Sequence, residues 1–202
     1  MDLPVLDHEG PWTEAAFLSL LPVSAPQGAS RIELSDGSLV IGPGCGPARA
    51  VAVARARAAV AAALPDGLRV IGPVPLRLGP DCVLVPDLVV TRIRPDAADA
   101  EDAAEVIIDA GAALIVVEVV GREHGITDRA FKPQLYARSR IPYSVLIDHD
   151  HPFAAAHMII SGRYHEYARA AAGERLVLEE PFPLEIDLDA LARQDGPVSA
   201  AG

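Results

Sequence analysis

Residues 113–125 read ALIVVEVVGREHG, and six of the seven residues from Leu114 to Val120 are aliphatic. That is the composition of a strand buried on both faces. The seventh residue is Glu118. An ionised carboxylate buried without a partner costs several kcal/mol, so a chain that keeps one there has to supply a cation, a metal or a proton.

The second carboxylate in an apolar setting is Asp87, between VLVP and LVV. If the strands around residues 82–92 and 113–120 are neighbours in one sheet, cross-strand geometry puts these side chains about 5 Å apart. Two carboxylates that close do not both stay ionised without a cation: they share a proton or hold a metal. Oxygen donors favour a hard ion such as magnesium or manganese. The plainer alternative is that each acid sits at a strand end and pairs with an arginine.

The basic residues point to a third member. Of 17 lysines and arginines only Lys132 is lysine. An ammonium is a compact point charge and a guanidinium is broad, planar and always protonated, so the single lysine marks a position where arginine fails. An i, i+4 helix pair with Asp128 is the plainer reading of the same residue.

Net charge is −11, which opposes a general nucleic-acid coat function. Residues 121–140 depart from this, with Arg122, Arg129, Lys132, Arg138 and Arg140 against Glu123 and Asp128. No apolar run reaches the roughly 18 residues of a membrane span. The N-terminus, with Asp2, Asp7 and Glu9, lacks the basic start of a signal peptide, so a cytoplasmic protein is expected. Cys45 and Cys82 lack metal-ligand spacing and are expected to be reduced thiols.

Along the chain, PWTEAAFLSLL predicts a short helix capped by Thr13, and RIELSDGSLVIG a hairpin turning at Asp36-Gly37. Residues 47–64 predict an Ala-rich helix whose Arg49, Arg55 and Arg57 rule out a membrane role. LRVIGPVPLRL and CVLVPDLVVTRI predict two strands whose prolines suggest edges or bends, and the acidic stretch from 95 to 111 a loop or surface helix. TDRAFKPQLYARS predicts a helix capped by Thr127, and Pro133 places its start near Lys132 or kinks it there. YSVLIDHD, AAAHMIISG and RYHEYARA predict strands, with a turn at Ser161-Gly162, and IDLDALARQ a closing helix. The tail from about 195 is expected to fray. DHDHP, residues 148–152, is read as a polar strand end, with zinc at His149 and His151 as the competing idea. The order is that of an α/β chain around a mixed sheet, expected as one domain over residues 1–202.

Taken together, VPDLVV, LIVVEVV and DRAFKPQLYARSRIPYSVLID resemble the PD-(D/E)XK nuclease superfamily and, within it, the Uma-two family of restriction-endonuclease-like proteins. The positions that carry the resemblance are Pro86-Asp87, Glu118-Val119, Asp128, Lys132, Tyr136, Ile141-Pro142 and Asp148, with Glu33 and Asp36-Gly37 in an early hairpin. It implies a restriction-endonuclease-like core, a mixed β-sheet flanked by helices. It also implies a divalent metal, Mg2+ or Mn2+, on Asp87, Glu118 and the Val119 carbonyl, with Lys132 positioning water or offsetting negative charge and Glu33 an auxiliary acid. The implied substrate is nucleic acid, with DNA expected over RNA, and a homodimer is expected. The chain departs from the family at Gly121-Arg122-Glu123 in place of Ser-Pro, at Pro133, at Ser144-Val145 in place of Tyr-Trp, and at Arg49, near the place of a frequent histidine. These departures keep open a second reading, a catalytically silent nuclease-like module that binds a partner or regulates.

Overall fold

The computed structural model describes residues 9–21, 31–42, 44–92, 107–122 and 127–192. The tail from 195 and most of the acidic stretch lie outside the described residues.

The first helix, α1 (Glu14–Leu20), starts where Thr13 accepts the Ala16 N–H, and Phe17 anchors it in the interior. Strands β1 (Arg31–Ser35) and β2 (Ser38–Gly42) form the hairpin, with Asp36 and Gly37 both at positive φ as the tight turn requires. Helix α2 (Pro47–Ala63) opens on proline, whose missing N–H costs nothing at that position.

The two proline-bent strands resolve into four: β3 (Leu68–Ile71), β4 (Leu76–Gly79), β5 (Cys82–Leu84) and β6 (Leu88–Arg92). Prolines 73, 75, 80 and 86 fall between them, where no ladder N–H is needed. After β7 (Ile108–Asp109) and a single 3-10 turn comes β8 (Ala113–Val120), the strand that carries Glu118.

Pro133 has no N–H to offer a carbonyl four residues back, so an α-helix cannot run from Thr127 through it. The chain makes a π-helical turn over Thr127–Phe131, and α3 (Lys132–Arg138) begins with Pro133 in its first turn. Thr127 therefore opens the π turn and does not cap α3. Strands β9 (Tyr143–Asp148), β10 (Phe153–Ile160) and β11 (Arg163–Ala171) follow, then β12 (Arg175–Leu178), β13 (Leu184–Asp187) and α4 (Leu188–Ala192).

A six-stranded sheet in the order β11-β10-β9-β8-β6-β3 forms the centre, with β8 and β9 parallel and the other pairs antiparallel. A five-stranded sheet runs β2-β1-β5-β4-β7, and β12 and β13 pair separately. The architecture is the expected α/β one, with sheets of mixed strand direction flanked by helices. Among the described residues no helix is long and apolar enough to cross a membrane.

Strand alternation decides what each face meets. On β8, Ile115, Val117 and Val119 face a core built with Ala52, Ala56 and Val60 of α2. Val116 faces the opposite core, which holds Leu76, Val89 and Tyr136. Glu118 falls on the Val116 side of the strand, which also faces Tyr136. Both faces of β8 are covered, as its composition requires.

Gly72 fixes how the chain enters β6. Its φ is +143°, and a Cβ there would collide with the Asp87 carbonyl oxygen and lie 2.9 Å from the Leu88 Cα. Gly67, at φ +83°, has open space around its missing side chain. Gly72→Ala is therefore expected to lose about 1–3 kcal/mol through overpacking, beyond the backbone cost it shares with Gly67→Ala. Urea unfolding of the two variants measures that difference, and equal losses would contradict the contact.

Candidate active site

The register Leu88↔Val117 between β6 and β8 brings Asp87 alongside Glu118. Both are buried, at 2% and 3% exposure, as are Glu33 and Lys132. The hairpin contributes Glu33 because β1 alternates, and Arg31 points the same way two residues earlier. Lys132 arrives from the start of α3. The residues singled out from the sequence thus meet in one place.

Each carboxylate is held by specific donors. Asp87 Oδ1 accepts from Arg31 at 2.5 Å and from Arg49 at 2.6 Å. Asp87 Oδ2 accepts from Arg49 at 2.8 Å and from the Val119 N–H at 2.7 Å. A carboxylate offers about four lone-pair sites, so Asp87 is saturated. Glu118 Oε1 accepts the Tyr136 hydroxyl at 2.5 Å and lies 3.8 Å from the Lys132 ammonium, while Oε2 is 3.5 Å from Arg31. Glu33 Oε1 accepts the Val85 N–H at 2.8 Å, and its Oε2 pairs with Lys132 at 2.9 Å. Asp128 pairs with Lys132 at 2.6 Å, so the i, i+4 pair and the site role fall on the same ammonium.

The ionisation states follow from these contacts. Burial opposes the Asp87 carboxylate, but Arg31, Arg49 and the Val119 N–H outweigh it and hold its pKa below the usual range. Burial dominates at Glu118, helped by the Asp87 charge, and pushes its pKa up to about 7 despite Lys132. Burial opposes the Lys132 ammonium as well, yet Glu118, Glu33 and Asp128 together keep its pKa above the ordinary lysine value. Lys132 is therefore a fixed positive charge and no general base. Tyr136 stays a neutral donor, its pKa raised by burial and by Glu118.

Arg49 and Arg31 were not among the residues singled out for the site. Arg49 occupies the head of the buried stripe of α2, three residues before Ala52, and is 2% exposed. Helical spacing with Ala52, Ala56 and Val60 was the available signal. For Arg31 the signal was period-two alternation with Glu33. Tyr136 belonged to the family pattern, and its hydroxyl now has a definite acceptor.

The donor chemistry can be tested against the implied metal. Besides both oxygens of Asp87, Arg49 bonds the Val119 carbonyl through Nε at 2.7 Å. The guanidinium thus stands in for a cation on three of the oxygens that the family pattern assigns to metal. Hard oxygen donors converging on a buried positive charge fit a divalent ion of the magnesium type. No group of three His, Cys, Asp and Glu side chains suited to hold a metal occurs among the described residues, so the fit rests on Asp87 and the Val119 carbonyl around Arg49, with Glu118 joined to Asp87 through Arg31 at 3.5 Å.

The DHDHP segment is a turn. Asp148 Oδ1 accepts the Asp150 and His151 N–H groups, Oδ2 accepts Arg129 at 2.9 Å, and His151 is 70% exposed. Zinc at His149 and His151 gains no support from this arrangement. Cys45 and Cys82 are free thiols.

Comparison with known proteins gives a consistent assignment. No curated protein matches the chain. Among solved structures, a protein of Anabaena variabilis described as a "putative nuclease belonging to DUF820" superposes with a TM-score of 0.66 at 17% identity, covering 90% of this chain and 98% of its own. That likeness establishes a shared nuclease-like fold. The family model Uma2, described as "Putative restriction endonuclease", matches residues 16–191, nearly the whole chain. The chain belongs to the Uma2 family.

Proposed function

We propose that the chain hydrolyses phosphodiester bonds of DNA in a reaction that depends on a divalent cation, magnesium or manganese. One observation carries the reading: Asp87 shares Arg49 with the Val119 carbonyl and Arg31 with Glu118, and the chain's single lysine lies 3.8 Å from Glu118. Asp87, Glu118 and Val119 are the residues that would hold the ion. When bound, such an ion supplies activation of the attacking water and neutralises charge at the scissile phosphate. Lys132, permanently protonated, offsets negative charge that develops on the phosphoryl oxygens. Glu33 and Asp128 position that ammonium, and Tyr136 orients Glu118. Arg31, 14% exposed, is the least buried cation of the cluster and faces an arriving phosphate first.

A second reading, a catalytically silent nuclease-like module, is favoured by the saturation of Asp87 with donors from the chain itself. Supercoiled plasmid separates the two. The purified chain is expected to nick it with Mg2+ or Mn2+, to stop when a chelator is added, and to leave single-stranded RNA intact. Plasmid untouched with either ion at any enzyme concentration favours the silent module, and equal cleavage of RNA overturns the DNA assignment.

A further inference from the structure

We infer that Arg49 is an internal competitor for the cation site: the described state is a resting form in which the chain's own guanidinium occupies the site, and a divalent ion enters only as the Arg49 side chain withdraws. The inference rests on the metal reading above and goes beyond it by assigning the group that controls occupancy.

Three observations support it. First, the overlap is at the level of atoms, since one guanidinium takes Asp87 Oδ1, Asp87 Oδ2 and the Val119 carbonyl at 2.6, 2.8 and 2.7 Å. An ion on the same oxygens and a guanidinium cannot share that space. Second, the cluster brings its own cations. Arg31, Arg49 and Lys132 supply three positive charges to the four acids Asp87, Glu33, Asp128 and Glu118, so each acid lies beside a cation of the chain itself. Third, withdrawal of Arg49 leaves Asp87 compensated, because Arg31 and the Val119 N–H stay on its two oxygens. The exchange of one cation for another thus requires no bare carboxylate at any stage. It does require the Val119 carbonyl and Asp87 to give up their guanidinium, so the cost of removing Arg49 is subtracted from the affinity for the ion.

The size of the effect follows from population arithmetic. If Arg49 is withdrawn in fewer than about one molecule in ten, the apparent dissociation constant of the ion is raised about tenfold or more over that of an open site. Arg49→Met keeps the length and packing of the stem and removes the competing charge. Calorimetric titration with Mn2+ is expected to show one site in Arg49→Met at least about tenfold tighter than in the wild-type chain, and lost again when Glu118→Gln is added. Equal affinities in wild type and Arg49→Met would overturn the competition while leaving the metal reading intact. Absence of binding in both would overturn both. A measurement on the wild-type chain does not depend on any variant folding. The Arg49 Nε–H, bonded to the Val119 carbonyl, gives a slowly exchanging signal in the arginine side-chain region of a nitrogen–proton correlation spectrum. Saturating Mg2+ is expected to shift that signal and to speed its exchange, and a signal unmoved by Mg2+ would overturn the proposal.

Discussion

Asp87→Ala is expected to cost about 3–5 kcal/mol of folding stability, the scale for removing one partner of a buried ion pair. The carboxylate accepts four hydrogen bonds, and two of its donors are guanidinium groups. Without it, Arg49 retains the Val119 carbonyl but loses its counter-ion at 2% exposure. A loss of cleavage by this variant is therefore inseparable from damage to the fold. Adding Arg49→Met removes one of the two stranded guanidinium charges and is expected to restore part of the loss, the other, Arg31, keeping Glu118 at 3.5 Å. Urea unfolding of the single and double variants tests this. A single variant within about 1 kcal/mol of wild type would show that Asp87 does not neutralise the arginines in solution.

Glu118→Gln separates chemistry from stability. It is expected to reduce plasmid cleavage about a hundredfold or more, because a neutral amide replaces a charged ligand to the proposed ion. Its stability is expected to respond differently. Glu118 ionises in the folded chain near pH 7, against an ordinary value of 4.5. Between those values the folded chain holds the proton that the unfolded chain has released. Stability from this group is thus full below about pH 4.5 and falls as pH rises through 7. Glutamine keeps an acceptor for the Tyr136 hydroxyl and does not titrate. In metal-free buffer the wild-type chain is expected to lose stability between about pH 5 and about pH 8 relative to the variant. Parallel pH profiles, or undiminished cleavage by the variant, would contradict the role given to Glu118.

The residues of the site were legible in the sequence to the extent that they broke a local rule. Glu118 interrupts an aliphatic strand, Asp87 interrupts an apolar run, and Lys132 is the single lysine. Their partners obey local rules. Arg31 looks like an ordinary charge on a strand, and Arg49, though it stands near the place of a frequent histidine of the family, like an ordinary charge on a helix. Their contacts with Asp87 span 56 and 38 residues of sequence, and only the tertiary fold sets such pairings. Secondary structure divides in the same way. The Thr13 cap, the Asp36-Gly37 turn and the Ser161-Gly162 turn are local geometry, and each is present in the fold. The stretch from residue 68 to 92 was misjudged as two strands, because prolines that end a strand and prolines that bend one leave similar traces. The π turn before α3 arises from Pro133, and whether that residue kinks a helix or starts one depends on what the preceding turn packs against.

The small residues along α2 have a mechanical consequence. Ala52 and Ala56, both fully buried, let the helix axis lie close over β8, and Arg49 is delivered to the carboxylates from the end of that rigid rod. Added bulk at either alanine would lift the rod and draw the guanidinium away like the tip of a lever. Interior tightness well away from any charged group would then tune how readily the protein admits the proposed ion.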